Sequence, residues 1–175
     1  EEFLAYLEEK LLSTAPEAAS AAEIDAWING PGIPETAAEP VSAAFARVTA
    51  DQLAWLGGDI AAADIQTGAW TTHEWLHFLN TLPDSLTLDQ YAALDGAFGL
   101  SASTNAEIAN AWYLKAIAGG YEPAMAPLES FLKSVGRGKF IYRLYTDLEA
   151  NGRGDFARRV YAEARPGYHP IAQKR

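Results

Sequence analysis

Apolar positions recur at helical spacing along most of this chain. Phe3, Leu4, Leu7 and Leu11 follow the pattern, as do Ile24, Trp27 and Ile28. The pattern then breaks at NGPGIPETAAEP, residues 29–40, where prolines and glycines stop a helix, and residues 30–41 read as a Pro/Gly-rich linker or crossing segment. Beyond it the spacing predicts helices near 41–47, 50–64, 71–82, 87–97, 105–118, 122–135, 139–150 and 154–165. Glycine or proline marks the joints at Gly68, Pro83, Gly99, Gly119, Gly120, Gly136 and Gly152. No stretch alternates apolar and polar residues for long enough to make a strand. Short antiparallel helices joined by tight turns predict an all-α fold. The expected form is an armadillo-like or HEAT-like two-layer array of about eight or nine helices. No strict repeat is present, so the array is expected to be irregular.

The helix starts carry capping boxes, in which a Ser or Thr and a Glu or Gln three residues on satisfy each other's free backbone amides. Thr71 with Glu74, Thr87 with Gln90, Thr104 with Glu107 and Thr49 with Gln52 all fit. The first of these overlaps HEWLH, residues 73–77, which has the HExxH form of a zinc-hydrolase helix: His73 and His77 as ligands, Glu74 as base. The cap gives Glu74 a structural role. Trp75, Leu79 and Leu82 then form the buried stripe, with the histidines on an exposed side near the helix start. A zinc site also needs a third protein ligand. Gly96 and Ala97 occupy the positions where zincins of one type carry a glutamate. Asn80 and Pro83 break the pattern of those that use a third histidine. His169 is far away, and Glu107 reads as a cap. His73, Glu74 and His77 are therefore read as a decoy, and no metal is expected in this chain.

Composition narrows the field further. Cysteine is absent, which excludes disulfides, thiolate metal sites and a cysteine nucleophile, and leaves the compartment open. No apolar run reaches the about eighteen residues of a membrane span. The acidic amphipathic start, EEFLAYLEEKLL, is unlike a signal peptide and reads as the interior of a longer chain. The net charge of -10 is uneven: residues 133–175 hold ten of the thirteen Lys and Arg against four acids, so that end is about +6 and the remainder about -16. A basic end fits an anionic ligand or an acidic partner, whereas the acidic body argues against nucleic acid and membrane surfaces.

No Gly-x-Ser-x-Gly elbow, GxGxxG or P-loop occurs. NGRGDF, at 151–156, contains an Arg-Gly-Asp triplet that reads as a helix-connecting turn. Trp27, Trp55, Trp70, Trp75 and Trp112 read as core. GRGKF, residues 136–140, is different in kind. It sets Arg137 and Lys139 around Gly138 at a helix start, where free amides and a partial positive charge favour an anion. Guanidinium, ammonium and amides together make a carboxylate site; a solvated basic turn is the other reading.

Five stretches together resemble the C-terminal part of zinc aminopeptidases of the leukotriene A4 hydrolase family. They are DAWINGPGIP at 25–34, FLNTLP at 78–83, TNAEIANAWYLKAI at 104–117, GRGKFIYRLYTDL at 136–148 and YHPIA at 168–172. Trp27 through Pro34 answers the family's Trp…Pro-Gly-Leu-Pro segment, with Ile33 for Leu. Asn105, Glu107 and Ile108 answer its Asn-x-Glu-Ile, residues 136–140 its Gly-Arg-Met-Lys-Phe, and His169-Pro170 its His-Pro. Two departures stand out. Gly138 replaces Met, which reads as a looser turn, and Tyr142-Arg143 replaces Arg-Pro.

The resemblance implies an armadillo-like C-terminal domain at 42–175, preceded by the linker and by the last helices of an upstream catalytic domain at 1–29. It implies that zinc and its chemistry belong to that upstream domain, so this chain alone is expected to be inactive and to contain no catalytic residue. It implies that Arg137 and Lys139, with Gly138 between them, bind the free carboxylate of a peptide substrate. It leans towards a cytoplasmic enzyme. An independent helical scaffold that binds a protein partner is the alternative of a different class, and a free-standing zincin is a third.

Overall fold

The computed structural model describes residues 2–174. Glu1 and Arg175, the outer ends of the expected domains, lie outside the described residues, as does the side chain of Lys174. The chain divides into two compact units, Glu1–Val41 and Ser42–Arg175.

In the first unit α1 (Glu2–Leu7) passes into a wider turn at Glu8–Leu12, and α2 (Ala21–Asn29) follows. The start of α2 is fixed by a capping box that the sequence reading did not include. The Ser20 hydroxyl accepts from Glu23 N at 3.2 Å, and the Glu23 carboxylate accepts from Ser20 N at 2.8 Å. No residue of either helix is buried. Trp27, expected in a core, is 56% exposed. A helix pair this short has too little apolar surface to enclose a tryptophan by itself.

The second unit contains α3 (Ala43–Gly57), α4 (Thr72–Thr81), α5 (Leu88–Phe98), α6 (Ala106–Ala118), α7 (Met125–Ser134), α8 (Gly138–Ala150) and α9 (Gly154–Ala164); a 3-10 turn lies in each of the α3–α4, α5–α6 and α6–α7 connections. No strand occurs among the described residues. α4, α6 and α8 lie side by side, α3 packs on α4, and α9 packs on both α7 and α8. Helices that alternate in sequence are thus neighbours in space, which makes the two-layer, armadillo-like array. No described helix is long and apolar enough to cross a membrane.

Local signals place most boundaries. The Thr71–Glu74 and Thr87–Gln90 capping boxes both form. Gly58 and Gly99 end α3 and α5 in the left-handed conformation, with φ of 83° and 61°. Three expectations are corrected. The helices expected at 41–47 and 50–64 are one helix with its cap at Ser42, whose hydroxyl accepts from Phe45 N at 3.3 Å. Thr49 does not cap, because its hydroxyl pairs with His77 Nε2 at 2.8 Å. Gln52, expected in that box, is buried and donates to the Phe78 carbonyl at 2.7 Å. α6 is capped by Asn105, whose side-chain oxygen accepts from Glu107 N and Ile108 N, rather than by Thr104.

The core runs along the facing sides of the helices. Phe78, Leu94, Trp112, Leu128, Leu144 and Val160 are all fully enclosed. The α4 stripe is Phe78, Leu79 and Leu82, while Trp75 is half-buried in an aromatic chain with Trp70, Phe78 and Phe98. Trp55 and Trp112 are core residues, as expected.

Six of the ten cations after residue 132 form ion pairs among the described residues, in part with acids that precede that segment. Between α7 and α9, Arg159 donates to both Glu129 oxygens, at 2.9 and 2.7 Å, and Lys133 bridges Glu129 and Glu163 at 2.6 Å each. Arg143 pairs with Asp147, Arg153 with Glu122, and Arg158 with Glu149 and Asp155. The Arg-Gly-Asp triplet is thus engaged at both charged ends. Hydrogen bonds from Arg159 first, and Lys133 next, hold the Glu129 carboxyl down to about 2. A depressed carboxyl adds stability above its unfolded value, near 4.5, and loses it as pH falls towards the folded value. The thermal stability advantage of the native chain over Glu129→Gln is therefore expected to be constant from pH 7 to about 5, to shrink below about 4.5 and to disappear near 2. Melting curves of both proteins across that range check this. An advantage unchanged down to pH 2 would show that the network contributes nothing through ionisation.

Candidate functional site

The sequence singles out two clusters, and the structure treats them differently. In HEWLH the Glu74 carboxylate is occupied by its own helix start. It accepts from Thr71 N and Thr71 Oγ1, each at 2.8 Å, and the backbone bond, with the hydroxyl bond next, lowers its pKa. His77 is half-buried rather than on an exposed side: its ring stacks on Phe45 at 4.5 Å, tilted by 4°, and its Nε2 meets Thr49. The histidine thereby ties α4 to α3, while His73 is exposed. A zinc ion needs three converging protein donors, and among the described residues no group of three or more His, Asp or Glu is gathered to supply them.

GRGKF lies where two chain segments meet. α7 ends at Ser134, and α8 begins at Gly138. Arg137 is the extended residue before α8, with φ -81° and ψ 121°, and no side chain caps that helix start. The Phe140 amide donates to the Arg137 carbonyl at 3.0 Å, and no side chain takes up the amides before it. Residues 167–172 run alongside. Gly136, Arg137, Gly138, Lys139, Tyr142 and Arg143 line one side of an open groove of about 890 Å³, and Tyr168, His169 and Ile171 line the other. Arg137, Lys139, Arg143 and His169 make its rim basic, while Tyr142, Tyr168 and Ile171 give it apolar surface.

Buried bonds hold the groove in place. The Tyr168 hydroxyl donates to the Leu132 carbonyl at 2.7 Å and lies 2.8 Å from the Tyr145 hydroxyl. Burial is the main cause that pushes both phenols up, and their contact raises Tyr145 further. Asn110 of α6 donates to the Phe140 carbonyl at 3.2 Å, which pins the first turn of α8. The Tyr142 ring lies over Gly138, and a Cβ at 138 would sit 2.7 Å from Tyr142 Cε2. The larger residue four positions on fills the space that a side chain at 138 would take.

The basic side chains are not equivalent. The Arg137 guanidinium lies 5.8 Å from the Phe140 ring centre and, among the described residues, makes no hydrogen bond or ion pair. Every other arginine from Arg143 to Arg165 has an acidic or carbonyl partner. Lys139 lies 5.3 Å from the same ring and is paired with Glu107. The sequence reading placed Arg137, Gly138 and Lys139 here but gave no role to Tyr142, Arg143, His169 or Ile171. The signal was present in two motifs far apart in sequence, GRGKF and YHPIA, which face each other across the groove.

An all-helical two-layer domain with a basic groove at one helix start is the class that fold and site define. The family profile described as leukotriene A4 hydrolase, C-terminal, matches residues 70–175. The chain belongs to that family. It is 32% identical over 123 residues to leucine aminopeptidase 2 of Neurospora crassa, a match that covers 69% of this chain and 18% of that protein. Leucine aminopeptidase 2 of Chaetomium globosum is 27% identical over 123 residues, covering 69% and 20%. In structure the chain is similar to yeast LTA4 hydrolase in complex with bestatin. The TM-score is 0.78 at 20% identity, covering 98% of this chain and 31% of that one. The chain thus spans about a fifth of the length of these curated relatives.

Proposed function

We propose that this chain is the C-terminal part of a zinc metallo-aminopeptidase and that its groove holds the free carboxylate of the peptide. Residues 42–175 are the helical domain, 30–41 the linker and 1–29 the last helices of the catalytic domain of the same polypeptide. Zinc belongs to that catalytic domain, where it would polarise the scissile carbonyl and activate water. The chain alone is then inactive. Its own contribution is to wall the substrate cleft and to fix the far end of the peptide.

Arg137 is the observation that carries this reading. Among the described residues its guanidinium has no hydrogen-bond or ion-pair partner, and it lies beside a helix start that no side chain caps, whereas Lys139 and the arginines from Arg143 to Arg159 are paired with acids. A carboxylate there would meet a planar fork, open amides and the positive end of α8 at once. The family match and the leucine aminopeptidase relatives support the peptide assignment. The test is Arg137→Ala in the full-length enzyme, assayed on a free tripeptide and on its C-terminal amide.

A further inference from the structure

The Asn-x-Glu-Ile motif leaves one residue unexplained. Asn105 caps α6, so the Glu107 side chain is free of the capping role that the sequence assigned to it. Its carboxylate instead reaches across to α8 and binds Lys139 Nζ. Lys139 and Arg137 line the same groove, yet among the described residues Lys139 has a carboxylate partner and Arg137 has none.

We infer that Glu107 is a built-in competitor for Lys139, a positioning residue that sets how strongly the groove binds an anion. The inference rests on the carboxylate reading of the groove. An incoming carboxylate must share the Lys139 ammonium with Glu107 or displace it. The Lys139 side chain is 53% exposed and the Glu107 side chain 35%, so water can take over either partner and the exchange is open. Glu107 also brings a negative charge towards a site built for one. In this arrangement Arg137 supplies a permanent positive charge and Lys139 a conditional one. The affinity of the groove is held below what Arg137 and Lys139 together could provide, which favours release of a product that still carries its carboxylate.

The sign of the effect separates competition from a merely structural tie between α6 and α8. Glu107→Gln keeps a side-chain oxygen for Lys139 and removes the charge. In the full-length enzyme it is expected to lower KM for a free tripeptide about two- to fivefold, with kcat nearly unchanged and a much smaller change for the peptide amide. Glu107→Asp is one methylene shorter, keeps the charge at the α6 start and should give an intermediate gain. If either variant folds poorly, the other still reports the direction. A raised KM for the free tripeptide, or an equal change on acid and amide, would overturn the inference. Failure of the underlying reading is distinguishable: Arg137→Ala would then treat acid and amide alike, and the inference would fall with it. If Arg137→Ala discriminates and the Glu107 variants do not, only the competition is wrong.

Discussion

Arg137→Ala in the full-length enzyme is expected to depress kcat/KM for a free tripeptide by roughly tenfold to a hundredfold. The guanidinium has no partner to lose within the described residues, so its removal should leave the fold and the metal content unchanged. What is lost is a charge-assisted contact, of about 1.5–3 kcal/mol per hydrogen bond. That range corresponds to about ten- to a hundredfold in binding or rate. The contact lies far from the scissile bond in the proposed pose, so its energy can appear in kcat as well as in KM. An amidated peptide or a neutral aminoacyl anilide has no terminal carboxylate and should lose far less. Lys139→Ala should cost less than Arg137→Ala, because Lys139 is already shared with Glu107. Equal losses on acid and amide substrates would assign Arg137 to bracing the domain, and the clamp would be wrong.

Trp112→Ala is expected to remove about 3–5 kcal/mol of stability, a large part of what a domain of this size has. Trp112 is fully enclosed in α6, against Tyr91 at 5.7 Å and Tyr121 at 5.9 Å. Its indole Nε1 donates to Ser101 Oγ at 2.9 Å, and that hydroxyl donates to Asp95 at 2.7 Å. Asp95 also accepts from Ser101 N at 2.8 Å, and Tyr113 donates to the Ser101 carbonyl at 2.8 Å. One side chain thus fills the space between α5 and α6 and anchors the turn that joins them. Burial is also the main reason the Tyr113 phenol is pushed up to about 12. Alanine would leave a cavity lined by rings that cannot collapse into it. Trp112→Phe keeps most of the volume and loses the hydrogen bond, so it should cost about 1–2 kcal/mol. Urea unfolding of the three proteins checks both values. A loss below about 1 kcal/mol for alanine would show that the α5–α6 contact is not central to the core.

Much of the architecture was legible in local chemistry. The period of the apolar residues gave helices, the glycine joints gave their ends, and the Thr71 and Thr87 boxes placed two starts correctly. These signals act within three or four residues, where the backbone alone decides which partners meet. The same local reasoning misplaced Thr49 and Gln52, because a hydroxyl and an amide that fit a capping box also fit partners on α4, which lies 26 to 28 residues away. It misplaced His77 for the same reason.

For the candidate site the division is similar. The sequence by itself determined that Arg137 and Lys139 flank a glycine at a helix start, since this depends only on the end of α7 and the beginning of α8. It also determined the excess of cations over acids after residue 133. Tertiary structure alone decided that six of those ten cations pair with acids, that His169 and Ile171 line the groove with GRGKF, and that Glu107 binds Lys139 while Arg137 has no partner among the described residues. The Glu107–Lys139 pair spans 32 positions of sequence. A charge carries no mark of its partner along the chain; the packing of α6 against α8 brings the two within reach, and only then does Coulomb attraction select one acid from the many available.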